Sequence, residues 1–74
     1  MTIKETDKRL DDLAPGKHRV ITMEYRTYYT GEKEKKWEIY VGIGSGLRAN
    51  AASLEEAEKI IEKEIKNEDI KIKD

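Results

Sequence analysis

Two runs that alternate apolar and polar residues, "VITMEYRTYY" and "WEIYVGI", flank a charged stretch that carries a glycine, "TGEKEKK". A period of two puts successive side chains on opposite faces of a strand, and the short solvated loop between the runs requires the second to return antiparallel to the first. The chain is thereby committed to a β-hairpin. In the first strand Ile21, Met23, Tyr25, Thr27 and Tyr29 share one face, and Val20, Thr22, Glu24, Arg26 and Tyr28 share the other. In the second, Trp37, Ile39, Val41 and Ile43 oppose Glu38, Tyr40 and Gly42. A bulge near Gly31 would exchange the faces of Tyr28 and Tyr29, because one residue of slip inverts the pattern. That register stays open at this level. "GSG" permits a second tight turn, since glycine accepts a positive φ without steric cost, and "LRANAA" supplies a short third strand.

Ser53, followed three residues later by Glu56, is a capping box that marks a helix start at or near Leu54. Leu54, Ala57, Ile61 and Ile65, with Ile60 beside them, form an apolar stripe at helical spacing, while glutamates and lysines fill the remaining surface. The stripe is what covers the sheet. The expected fold is α+β, a three-stranded antiparallel sheet packed on one face by a C-terminal helix. Residues 17–74 form the single βββα domain. Residues 1–16 form an N-terminal segment, in which "ETDKRLDDLAPG" predicts a short helix carrying Leu10 and Leu13 that ends before Pro15 and Gly16. At the other end, "EDIKIKD" alternates Ile70 and Ile72 and predicts a short strand or an ordered tail.

A layer pair of this kind buries one face of the sheet and leaves the other open unless a partner or the N-terminal segment covers it. The open face would present Thr22, Glu24, Arg26 and Tyr28 from the first strand, Glu38 and Tyr40 from the second, and Arg48 and Asn50 from the third. Of these, Arg26, Tyr28, Tyr40, Arg48 and Asn50, with Lys35 and Lys36 from the hairpin, are the seven residues of the candidate binding face. Exposed aromatic residues beside arginines suit a protein hot spot or a base-stacking platform. Equally, tyrosines on a sheet pair across strands and stabilise it. Trp37 is expected in the core, capping the helix stripe.

Charge narrows the choice of partner. Net charge is −1, so a generally basic, nucleic-acid-coating protein is disfavoured and only a local face can do that work. Residues 17–48 hold seven Lys and Arg against four Glu, while residues 53–68 hold three Lys against six Glu. The middle is basic and the helix acidic. Charged residues make up 42% of the chain, and the excess of lysine and glutamate over other polar residues resembles the composition of hyperthermophile proteins.

The strand, turn, strand order followed by "S-x-E-E-A" resembles two groups of small three-stranded domains that read DNA with the sheet. These are the N-terminal domains of some tyrosine recombinases and the plant AP2-type domains. The resemblance spans roughly residues 20–66 and rests on Trp37, Ser53, Glu56 and Ala57. Such recombinase domains carry several basic residues on the sheet, where this chain has Arg26 and Arg48 among Glu24 and Glu38. The chain also resembles the double-stranded-RNA-binding domain, whose order is helix, three strands, helix. That family's final helix starts with a serine, two lysines, a variable residue, alanine and lysine. Here Ser53, Leu54, Glu55, Glu56, Ala57 and Glu58 stand at those positions, so every lysine that would cradle phosphate is replaced. The resemblance therefore implies the fold without its familiar RNA contact.

Catalysis and cofactors find little support. "GIGSG" lies seven residues before the helix cap with no Walker lysine after it, so it reads as a turn and not a phosphate loop. His18 has no second ligand spaced for a metal, and Asp11 and Asp12 are adjacent on a helix and point apart. No nucleophile is accompanied by a base and an orienting partner. We expect no enzyme activity, no cofactor and no metal. The polar N-terminus lacks the apolar region of a signal peptide, no run is long enough for a membrane span, and there is no cysteine; these features fit a soluble protein of a reducing cytoplasm. Two functional expectations remain. One is a non-enzymatic module that binds a protein partner or itself through the open face or a strand edge, and the other is nucleic-acid binding through the basic part of that face.

Overall fold

In a computed structural model the chain runs α1 (Ile3–Leu13), β1 (Arg19–Thr27), β2 (Lys33–Val41), β3 (Leu47–Ala51) and α2 (Leu54–Lys73). The structure describes residues 1–73, with side chains through residue 68. The strands form one antiparallel sheet in the order β1-β2-β3. The expected α+β fold is the one adopted.

The β1–β2 ladder runs without a break from Arg19 opposite Val41 to Thr27 opposite Lys33. The Tyr28 amide continues it by donating to the Glu32 carbonyl at 3.1 Å, and the Gly31 amide closes the loop on the Tyr28 carbonyl at 2.9 Å. Gly31 has φ +78°, the left-handed conformation that ends a turn of this length. The irregularity therefore falls after Tyr28, which keeps its place on the face of Arg26, while Tyr29 sits fully exposed at the tip. The second turn places the Gly46 amide 2.9 Å from the Ile43 carbonyl, with Gly44 and Gly46 both at positive φ.

Ser53 caps α2 as its sequence requires, its Oγ accepting from the Glu56 amide at 3.2 Å. The stripe Leu54, Ala57, Ile61 and Ile65 is buried against Ile39, Val41, Leu47 and Ala49. Ile60, placed beside that stripe in sequence, is 42% exposed. The alternation at Ile70 and Ile72 does not make a strand, because α2 continues through Lys73. No glycine or proline follows Gly46 in the sequence, so nothing stops a helix rich in lysine and glutamate.

The N-terminal helix is longer than "ETDKRLDDL" predicts. Thr2 caps it, accepting the Glu5 amide at 3.2 Å and donating its hydroxyl to the Glu5 carboxylate at 3.1 Å. Leu10 and Ala14 join the core beside α2, so both helices lie on one face of the sheet. Arg19 ties α1 to the start of β1, donating from Nε to Asp7 at 2.9 Å and lying 3.2 Å from Asp11 through Nη2. These two carboxylates hold the guanidinium further toward its charged form. The other sheet face is left uncovered.

β3 pairs only with Trp37–Val41, so the outer half of the hairpin extends past the third strand. There, on the helix side, Met23 and Tyr25 stay exposed. Trp37 packs against the margin of the core, not within it, and the Lys35 ammonium sits 5.1 Å from its ring centroid. A fully buried tryptophan truncated to alanine costs about 3–5 kcal/mol. The half-buried Trp37 is expected to cost less, so Trp37→Ala should fold and give a urea midpoint closer to the parent's than that of Ile39→Ala. A midpoint below that of Ile39→Ala would place Trp37 at the centre of the core.

Among the described residues no helix is long and apolar enough to cross a membrane.

Candidate interaction surface

The ladder registers set out the open face in cross-strand rows. Arg26 lies opposite Glu34, Glu24 opposite Lys36, Thr22 opposite Glu38 and then Asn50, and Val20 opposite Tyr40 and then Arg48. Six of the seven candidate residues, Arg26, Tyr28, Lys36, Tyr40, Arg48 and Asn50, are together on this face. The seventh is not. Lys35 pairs with Tyr25 and points to the helix side with Trp37, as its odd position in the alternation demands. Its place in the charged hairpin sets it beside the others in sequence, whereas strand parity decides the face.

Four of the six form two clusters, with Lys36 and Asn50 between them. At the inner end Arg48 stacks over Tyr40, with the guanidinium carbon 5.6 Å from the ring centroid. His18 meets the same ring edge-on at 6.0 Å. The turn closes on it as well, since a Cβ at Gly46 would fall 2.8 Å from Tyr40 Cε2, and Gly46 holds φ +104°. Tyr40 is therefore half-buried and held in place, and its ring is as much a support for the turn as a contact surface. At the outer end the Tyr28 hydroxyl donates to Glu34, and that bond raises the phenol above its ordinary range. Arg26 lies 3.6 Å from Glu24.

Charge on this face is balanced. Arg26, Lys36 and Arg48 are matched by Glu24, Glu34 and Glu38, and the two signs alternate along and across the strands. The basic surplus of residues 17–48 does not collect here. Part of it is Arg19, consumed by Asp7 and Asp11, and part is Lys35 and Lys33 on the other side.

A second polar cluster, unmarked in the sequence, joins the helices. Glu58 is buried on α2 and accepts the Thr6 hydroxyl at 3.0 Å, the Arg9 Nη2 at 2.7 Å and the Arg9 Nε. The Arg9 hydrogen bonds hold its carboxyl below the usual glutamate range despite the opposing effect of burial. Among the described residues no group of three or more His, Cys, Asp or Glu is arranged to hold a metal. No protein-family model, curated protein or solved structure matches the chain.

Proposed function

We propose that the chain is a small interaction module without catalytic chemistry, and that it binds a protein partner or itself through the uncovered sheet, by its face or by a strand edge. The observation that carries this reading is the open face itself. Both helices stack on the opposite side, and the exposed rows alternate in charge, so that they complement a surface of matching mixed charge better than a uniform polyanion. Cysteine-free composition suits a cytoplasmic setting.

Nucleic-acid binding is the second reading. It is favoured by the stacking of Arg48 on Tyr40 and by the helix, three strands, helix order of the double-stranded-RNA-binding resemblance. Against it stand Glu24, Glu34 and Glu38 on the face, and Glu55 and Glu56 at the start of α2. Amide-shift titration with single-stranded DNA, duplex DNA and duplex RNA separates the two. The expected result is no saturable shift at low salt with any of them. Shifts centred on Arg26, Lys36 and Arg48 that weaken as salt rises would replace the protein-interaction reading with the nucleic-acid one.

A further inference from the structure

The free edge of β1 carries its own register. Along an antiparallel ladder, hydrogen-bonded pairs alternate with non-bonded ones. The Gly42 amide donates to the His18 carbonyl at 2.7 Å and the Tyr28 amide to the Glu32 carbonyl at 3.1 Å, so even-numbered residues of β1 spend their amides and carbonyls on β2. Odd-numbered residues turn theirs outward. Arg19, Ile21, Met23, Tyr25 and Thr27 thus present a row of backbone donors and acceptors along a nine-residue edge strand. The strand has no proline and no positive φ, and no bulge interrupts its pairing with β2. Such an edge is a template for another strand unless it is blunted.

We infer that the occupant of this edge is the β1 strand of a second copy, paired antiparallel about Tyr25 to make a continuous six-stranded sheet. The inference rests on the interaction-module reading and makes it specific. Charge selects the register. With Tyr25 opposite Tyr25, Met23 faces Thr27, so every outward amide and carbonyl between them meets a partner, and Glu24 faces Arg26 twice across the two-fold axis. Shifting the axis to Glu24 sets carboxylate against carboxylate, and shifting it to Arg26 sets guanidinium against guanidinium. Axes at Thr22 or Met23 set Glu24 against Val20 or Thr22 and Arg26 against His18 or Val20, so neither charge meets its opposite. The chosen axis also brings together the two large side chains that the helices leave uncovered beside the edge, Met23 and Tyr25, the latter 63% exposed. Both helices lie on one side of the sheet, and α1 meets β1 at Arg19, toward the opposite end from Tyr25.

Sedimentation equilibrium over a range of protein concentrations tests this, with circular dichroism to verify that each variant is folded. The parent is expected to dimerise. Glu24→Arg, which sets four positive side chains across the seam, should weaken association about tenfold or more. Exchanging the charges through Glu24→Arg with Arg26→Glu restores complementarity between copies. Because Glu24 faces Lys36 and Arg26 faces Glu34 within the chain, the exchange is made together with Lys36→Glu and Glu34→Lys, and it should return the dimer. Tyr25→Pro removes an outward amide and the phenol ring beside the edge without losing a hydrogen bond to β2, and should give a folded monomer. A parent that is monomeric throughout, a dimer indifferent to Glu24→Arg, or a folded Tyr25→Pro dimer would each overturn the inference. None of these results would touch the broader interaction reading, which fails only if the nucleic-acid titration gives salt-sensitive shifts on the open face.

Discussion

Ile61→Ala is expected to lower the unfolding free energy by about 2–5 kcal/mol, the range for truncating a fully buried isoleucine with a cavity left behind. Ile61 is 0% exposed and lies in the one cluster that joins α1, α2 and the sheet. Collapse into the cavity is limited because the fully buried side chains of the same cluster, Leu10, Ile39 and Ile65, come from three different elements. A domain of this size has on the order of 4–11 kcal/mol to lose. The variant should therefore be close to unfolding at physiological temperature, and its thermal midpoint should fall by about 10 °C or more. Urea denaturation followed by circular dichroism measures the loss. A midpoint within experimental error of the parent's would show that α2 does not pack on the sheet through this stripe.

Glu58→Ala is expected to cost about 1–3 kcal/mol at neutral pH, because the Thr6 hydroxyl, 0% exposed, would be left without its acceptor. Arg9 stands on the solvent side of the pair, with 41% of its side chain exposed, and is free to hydrate once Glu58 is gone. The loss should depend on pH. The folded state holds the Glu58 carboxyl below its ordinary value of 4.5, so the unfolded chain takes up the proton first on acidification. The stability it contributes is complete above about pH 4.5 and is lost as pH falls through the folded value. The gap between the stability curves of parent and variant should then narrow below pH 4.5. A constant gap down to the acid limit of folding would mean that the carboxylate charge does not carry the helix–helix contact.

What the sequence reveals follows from how local each signal is. The strand alternation, the Ser53 cap and the Leu54, Ala57, Ile61, Ile65 stripe are periodic features read over a few residues, and each appears where its period places it. Thr2 and Glu5 have the same spacing as Ser53 and Glu56, so that pair marks the start of α1 as locally as the other marks α2. Ile70 and Ile72 show the opposite error, a two-residue period too short to outweigh a helix with no stop signal. Glu58 could not be found this way. It occupies a position one residue from the apolar stripe and looks like any other surface glutamate, and only the docking of α1 from 49 residues away buries it. The side of the sheet that α1 covers is likewise a long-range result, set by Leu10 and Ala14 meeting α2. For the candidate face, strand parity was the reliable guide. It places Arg26, Tyr40, Arg48 and Asn50 on one face and Lys35 on the other, whereas the face of Tyr28 follows only from the turn at Gly31.

The charge balance of that face changes the weight of the functional argument. A basic stretch of sequence becomes a neutral surface once folded, because alternation sends Lys33 and Lys35 to one side and Lys36 to the other while α1 takes Arg19. What remains distinctive is the long, unblunted edge of β1, with Glu24 and Arg26 spaced to meet their own copies.

Amide hydrogen exchange resolved along β1 tests that edge most directly. If a second copy occupies it, the amides of Met23, Tyr25 and Thr27 should be protected at high protein concentration and lose protection on dilution, while the even-numbered amides, bonded to β2, stay protected throughout. Free exchange at Met23, Tyr25 and Thr27 at every concentration would contradict it.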